Sequence, residues 1–306
     1  MMMYMARAAD MLYPFFMVVS FAFGGVLGSF ANVCISRWPL GLSVVQPASR
    51  CPQCKNGISW YDNIPVLSWL LLRAKCRHCG LPISWQYPLV ELLTACLFLA
   101  LYWRFEFTIA TPVYMYLAFG MVVSTFQDFA DWTIPDEITL PGIPVGLAVS
   151  LVGMYYGAET GLHVVNVFDA LAGIVLGAAI PFAIDRITVL LLKKPGMGMG
   201  DVKLLAMIGA FIGWQGVLGC FLLACLLGSV VGVSVIGYYK VFPPKEEAPG
   251  ADVDEDDDGI HLDAHYLPFG PYLALSGMIW VFAGPELAEW YIGLMTYTPS
   301  VELNTL

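Results

Sequence analysis

Apolar runs close to twenty residues long, separated by short polar turns, recur along the whole chain. The first covers residues 14–36, and further runs follow at 88–103, 108–127, 136–156, 167–193, 201–212, 214–240 and 268–292. A helix rises about 1.5 Å per residue, so about 20 apolar residues cross the hydrocarbon layer of a bilayer. The stretch 201–240 is too long for one crossing. The pattern predicts a break at Gly213-Trp214, which leaves 201–212 as a short, incomplete span. The expected fold is an all-α polytopic membrane protein of about eight transmembrane helices, with one sizeable loop domain after the first.

Composition agrees. The 306 residues are 58% hydrophobic and 12% charged, against about 25% charged in soluble domains. The first run holds Gly24, Gly25, Gly28 and Ser29, small residues that let membrane helices approach closely. A cleaved signal peptide is the alternative for this run, but it is too long and is preceded by a single cation, Arg7. The polar stretch 37–87 carries Arg37, Arg50, Lys55, Arg73, Lys75 and Arg77 against one acid, Asp62. By the positive-inside rule this loop is cytoplasmic and the N-terminus lies outside. Eight crossings then put the turns at 128–135 and 193–200 and the loop 241–267 on the same side, and Lys193, Lys194, Lys240 and Lys245 fit that placement. The expected units are a first helix (1–36), a loop domain (37–87), a membrane core (88–240), an acidic cytoplasmic loop (241–267) and a last helix with its tail (268–306).

The formal net charge of −10 is local, since nine of 24 acids fall between Glu246 and Asp263. Nothing resembles a nucleic-acid-binding surface. The fragment Asp254-Glu255-Asp256-Asp257-Asp258-Gly259 has part of a calcium-loop pattern, but its twelfth position is His265 rather than Glu. A solvated, charged linker is the simpler reading.

Two acidic constellations carry the candidate chemistry. In Gly198-Met199-Gly200-Asp201-Val202-Lys203 a carboxylate follows two glycines where a basic turn gives way to an apolar run. Glycine lets another backbone come close, and an acid near hydrocarbon is read as functional by default. Asp201 could also simply cap the following helix. In Asp128-Phe129-Ala130-Asp131-Trp132-Thr133-Ile134-Pro135-Asp136, Asp136 suits a helix start and Asp131 an exposed turn. Asp128 stands at a helix tail, where the dipole disfavours a negative charge, so something else must favour it. Two carboxylates brought together cannot both ionise easily, so one keeps its proton. Such a pair suits general acid–base hydrolysis of an amide, the two acids titrating as one unit. A nucleophilic Ser or Cys lacks support: none of His78, His163, His261 and His265 lies near a Gly-framed Ser, and no HExxH helix exists.

The loop domain carries Cys51-Pro52-Gln53-Cys54 and Cys76-Arg77-His78-Cys79, two C-x2-C knuckles 21 residues apart. Four thiolates at this spacing suit tetrahedral zinc, and a reducing cytoplasmic loop argues against disulfides. A closed four-thiolate site leaves no position for water, so the expected zinc is structural.

Several stretches together resemble the type IV prepilin peptidases. They are Gly28-Ser29-Phe30-Ala31-Asn32 with Arg37-Trp38-Pro39, the two Cys pairs, Tyr87-Pro88-Leu89-Val90-Glu91, the Asp128–Asp136 segment, Gly198–Leu205, and Pro268-Phe269-Gly270-Pro271-Tyr272-Leu273-Ala274. They run in family order over almost the whole chain, although GxGD alone is shared with other intramembrane aspartyl proteases. The resemblance implies a multi-pass enzyme of the bacterial cytoplasmic (inner) membrane, with its active site at the cytoplasmic face. Such enzymes clip the short charged leader of prepilins and pseudopilins after a glycine, for type IV pilus or type II secretion assembly. Many members then methylate the new N-terminus with S-adenosylmethionine. Carried over by motif, the catalytic residues are Asp128 and Asp201 and the zinc ligands are Cys51, Cys54, Cys76 and Cys79; no methyl-transfer residue is carried over. The 246–263 insert and the presence of Asp131 depart from the family pattern, and Asp128 is the better match by its distance from Pro135-Asp136. Gly198 and Gly200 are candidates to lie beside an extended substrate backbone. Membrane lipid is the other expected partner. A related protease of other substrates, an ion-binding transporter and a zinc-dependent scaffold are the competing readings.

Overall fold

A computed structural model describes residues 2–164, 166–194, 196–242 and 267–296, without the side chains of 2–11, 158 and 291–296. The acidic run 246–263 lies outside the described residues. The chain forms helices α1 (Met2–Arg37), α2 (Leu67–Leu71), α3 (Gln86–Phe105), α4 (Ala110–Asp131), α5 (Asp136–Tyr156), α6 (Val167–Leu192), α7 (Met199–Val241) and α8 (Gly270–Thr296). Among the described residues there is no strand, only two isolated bridges in the loop domain. Leu12–Arg37, α3, α5, α6 and α7 are each long and apolar enough to cross a membrane. This is a multi-pass membrane protein. Its outer faces carry residues such as Phe168, Val175, Leu190 and Leu222, which water would not tolerate as a continuous surface but lipid does.

α7 resolves the over-long apolar stretch. It is two helical arms joined at Gly213, whose φ of +73° is open to glycine and strained for other residues. The first arm packs antiparallel on α6, with Gly209 against Gly173 and Leu205 against Gly177. The second arm packs antiparallel on α8, with Gly219 against Trp280, Gly228 facing Tyr272 and Gly232 facing Leu267. Gly209 meets Val217 across the bend. The second arm therefore returns to the end of the bundle where the first began, and the predicted break at Gly213-Trp214 is a reversal.

Helix direction gathers the functional ends on one side. α1 ends at Arg37, and α3 starts beside it, since Asn32 Nδ2 donates to the Tyr87 carbonyl at 3.1 Å and Gly28 abuts Glu91. α3 runs away, α4 returns to end at Asp131, α5 starts at Asp136, and α6 ends where α7 begins. α4 contributes Tyr114, Leu117, Met121 and Val123 to the same buried core as Leu204, Ile208 and Leu273, with Met121 and Ile208 both meeting Gly277 of α8.

Candidate active site and metal centre

Asp128 lies in the last turn of α4, and Asp201 is the third residue of α7. Both carboxylates are buried, 6% and 8% exposed, and Asp201 lies in reach of the Asp128 charge. The unfavourable helix-tail position of Asp128 is offset from outside its own helix. The N–H of Gly270, the first residue of α8, donates to Asp128 Oδ2 at 3.0 Å, so the positive end of α8 faces this carboxylate. A side chain at position 270 would place its Cβ 2.5 Å from the same oxygen and push the carboxylate out of this position. Asp201 reaches back one turn, and its Oδ2 accepts the Gly198 N–H at 3.3 Å. The capping role is thus real, yet it leaves most of a buried carboxylate unaccounted for.

The linker between α4 and α5 fills the space between these ends. Ile134 lies against both glycines: a Cβ at Gly200 would come 2.9 Å from its Cβ, and one at Gly270 would come 3.1 Å from its Cδ1. Asp136 opens α5 as its first residue rather than as its cap, which is Pro135. Its carboxylate takes a bidentate contact from Lys203 Nζ, at 2.6 and 2.8 Å. Lys203 is half-buried and Asp136 exposed, so the pair adds at most about 1 kcal/mol, but it ties α5 to α7. Asp131 closes α4 without joining the pair. Near Asp128, the Ser124 hydroxyl and the Gln127 side-chain oxygen are buried with no partner among the described residues, atoms of the kind that hold buried water. By the register of α6 on the first arm of α7, Asp201 falls level with Pro181, and α6 continues about 16 Å further. The carboxylates are therefore recessed below the end of α6.

The four cysteines of the loop domain converge. Their sulfurs all lie within 4.8 Å of one another, with Cys51 and Cys79 at 3.9 Å. Tetrahedral zinc with bonds of about 2.3 Å sets its sulfurs about 3.8 Å apart, so the set fits the ion. The two knuckles share one backbone plan. The Cys51 N–H donates to Asn56 O and the Cys76 N–H to Leu81 O, while Lys55 N–H and Gly80 N–H return to the carbonyls of Cys51 and Cys76, all at 2.9 Å. Lys55 and Gly80 hold the equivalent left-handed position, at φ +58° and +71°. The N–H groups of Cys79 and His78 pull the Cys76 thiol down, while its cysteine neighbours push Cys79 up, so the cluster favours one thiolate first and needs a cation to hold more. Arg77 and Asp62 make a bidentate ion pair at 2.8 and 2.6 Å that spans the domain.

Motif reading quoted Lys203, Gly270 and Glu91 without giving them roles. Glu91 is buried in α3 and its Oε2 accepts the Val66 N–H at 2.7 Å, which ties the loop domain to a membrane helix. A glycine between Pro268-Phe269 and Pro271 was the available signal for a special backbone at 270.

Residues 22–105 match the bacterial peptidase A24 N-terminal domain, and residues 115–233 match the type IV leader peptidase family. A prepilin leader peptidase/N-methyltransferase of Myxococcus xanthus is 34% identical, over 90% of this chain and 92% of the relative. Proteins of the same description from Aeromonas hydrophila (33%) and Pseudomonas putida (34%) each align over 89% of this chain and 92% of their own. No solved structure matches.

Proposed function

Because the chain belongs to the type IV leader peptidase family, we propose that it is a membrane aspartyl endopeptidase for type IV prepilins and pseudopilins. It removes their leaders at the cytoplasmic face of the bacterial inner membrane and N-methylates the new N-terminus, serving type IV pilus or type II secretion assembly. The observation that carries the reading is the burial of Asp128 and Asp201 at one end of the bundle, where Ile134 packs against both Gly200 and Gly270 and Asp201 lies in reach of the Asp128 charge.

Two such acids hold one proton between them. The ionised carboxylate takes a proton from water as the water oxygen bonds to the scissile carbonyl carbon. The protonated partner gives its proton to the carbonyl oxygen. Collapse of the tetrahedral species breaks the C–N bond as the leaving nitrogen takes a proton. The products are a leader with a free carboxylate and a new N-terminal amine, and the pair again holds one proton. Gly270 fixes one oxygen of Asp128 and Gly198 one oxygen of Asp201, leaving the others to face water and substrate. The first-turn N–H groups of Met199 and Gly200 have no partner within their helix, so an extended substrate backbone approaches along Gly198–Gly200. The apolar helix of the substrate stays in lipid while its charged leader reaches the recess from the cytoplasm.

Cys51, Cys54, Cys76 and Cys79 would hold a structural zinc that organises the loop domain. S-adenosylmethionine, when bound, would supply the methyl group that the new amine accepts.

Incubating the purified chain in lipid vesicles with a prepilin and methyl-labelled S-adenosylmethionine tests both activities. The substrate should lose its leader and gain label. Asp128→Asn and Asp201→Asn should each abolish leader loss. Cleavage at a near wild-type rate in either variant overturns the dyad, and an intact substrate with the wild type overturns the substrate class.

A further inference from the structure

The loop domain is polar in composition, yet it carries an exposed apolar face. On α2, Leu67, Leu70 and Leu71 are 57%, 58% and 81% exposed, and Trp60, on the preceding helical turn, is 81% exposed. Positions 67, 70 and 71 share one helix face. The opposite face is committed inward. Ser68 Oγ accepts the Ile64 N–H at 3.0 Å and donates to the Tyr61 carbonyl at 2.9 Å, pinning the Trp60 turn to α2. Trp69 Nε1 donates to the Ile83 carbonyl at 3.2 Å. A cluster of exposed leucines beside a tryptophan marks an interaction surface rather than scattered exposure.

Its depth identifies what it meets. Val66, the residue before α2, gives its N–H to Glu91, five residues into the span α3 and so about 7.5 Å below its start. Pro65 sits against Gly25 of α1, twelve residues before that span ends at Arg37, or about 18 Å along it. α2 therefore starts alongside two membrane helices, below their cytoplasmic ends. Above it the charge is one-sided: Arg73 and Lys75 follow α2 directly, and residues 37–87 hold six Lys and Arg against Asp62 alone. Exposed leucines and a tryptophan next to a run of cations are the makeup of an interfacial element on an anionic leaflet. A basic leader would meet like charge here.

We propose that Pro65–Leu72 is seated in the lipid surface, with α2 pressing its leucine face into an anionic leaflet and holding the four-cysteine domain down on the membrane. This seating does not depend on the proposed reaction, and its test does not measure cleavage.

The full chain is placed in vesicles of phosphatidylglycerol and phosphatidylcholine whose acyl chains are brominated near the headgroup. The contribution of Trp60 is the fluorescence difference between wild type and Trp60→Phe. That difference signal should lose most of its intensity in brominated lipid and resist quenching by acrylamide from water. Pure phosphatidylcholine should weaken the lipid quenching. A Trp60 signal open to acrylamide and untouched by bromine overturns the proposal, and equal quenching in both lipids overturns its anionic component. As an independent measurement, Leu71→p-benzoylphenylalanine should on illumination attach to lipid. Attachment to a prepilin or to a second copy as the main product would replace the bilayer by that partner.

Discussion

The four cysteines sit on loops and the two aspartates on helix ends, and the difference shows in what holds each cluster. Each cysteine knuckle closes on itself through bonds four to six residues long, such as Cys51 N–H to Asn56 O. That geometry is local, and the metal would supply what the small domain lacks in core. Asp201 has one local bond, from Gly198, and Asp128 has no local bond outside its own helix. Asp128 is held by Gly270, 142 residues away, and the ends of α5 and α7 are tied by Lys203 and Asp136, 67 residues apart. One cluster is written into short sequence and stabilised by an ion; the other exists only when the bundle is packed.

That contrast can be broken by experiment. The largest expected effect is on the local cluster: replacing Cys51 and Cys54 by Ser should abolish the binding of about one zinc per chain and leave 50–83 open to proteolysis. The membrane helices should stay protected. Equal loss of protection in α4–α8 would mean the clusters are not independent. Next, Gly270→Ala should cut the cleavage rate by about 10²-fold or more, the scale of a misplaced general acid or base, with zinc content unchanged. An active Gly270→Ala enzyme would show that Asp128 does not need the end of α8. Lys203→Met should cost at most about 1 kcal/mol in stability, because its partner Asp136 is exposed; thermal unfolding in detergent measures it. The smallest effect sharpens the comparison of the two knuckles. Lys55→Gly should stabilise the loop domain by about 1 kcal/mol, since Lys55 holds the left-handed position that Gly80 fills in the other knuckle. Denaturation followed by zinc release reports it.

The same contrast explains what was legible in the sequence. The all-helical membrane fold, the break at Gly213 and the four-cysteine set follow from periodicity, run length and spacing, which are local properties. The position of Asp128 raised a question that only tertiary structure answers, since the compensating N–H belongs to α8. Glu91 stands in a membrane helix, while its partner, the Val66 N–H, belongs to the loop domain. α2 was hidden for a related reason. Leu67, Leu70 and Leu71 make a helix-face pattern of only five residues, too short to separate from a loop by period, and their depth depends on Pro65 meeting Gly25. α1 also begins at Met2, well before the apolar run at 14, because a helix once started continues through polar residues that do not break it.

The account turns on Asp128 and Asp201 working as one unit, and a double-mutant cycle on prepilin cleavage tests that most directly. Asp128→Asn and Asp201→Asn should each lower the single-turnover rate by about 10³-fold or more, and the double variant should be no slower than either one, as for groups that act together. Rate losses that multiply in the double variant, or a single variant that still cleaves well, would contradict it.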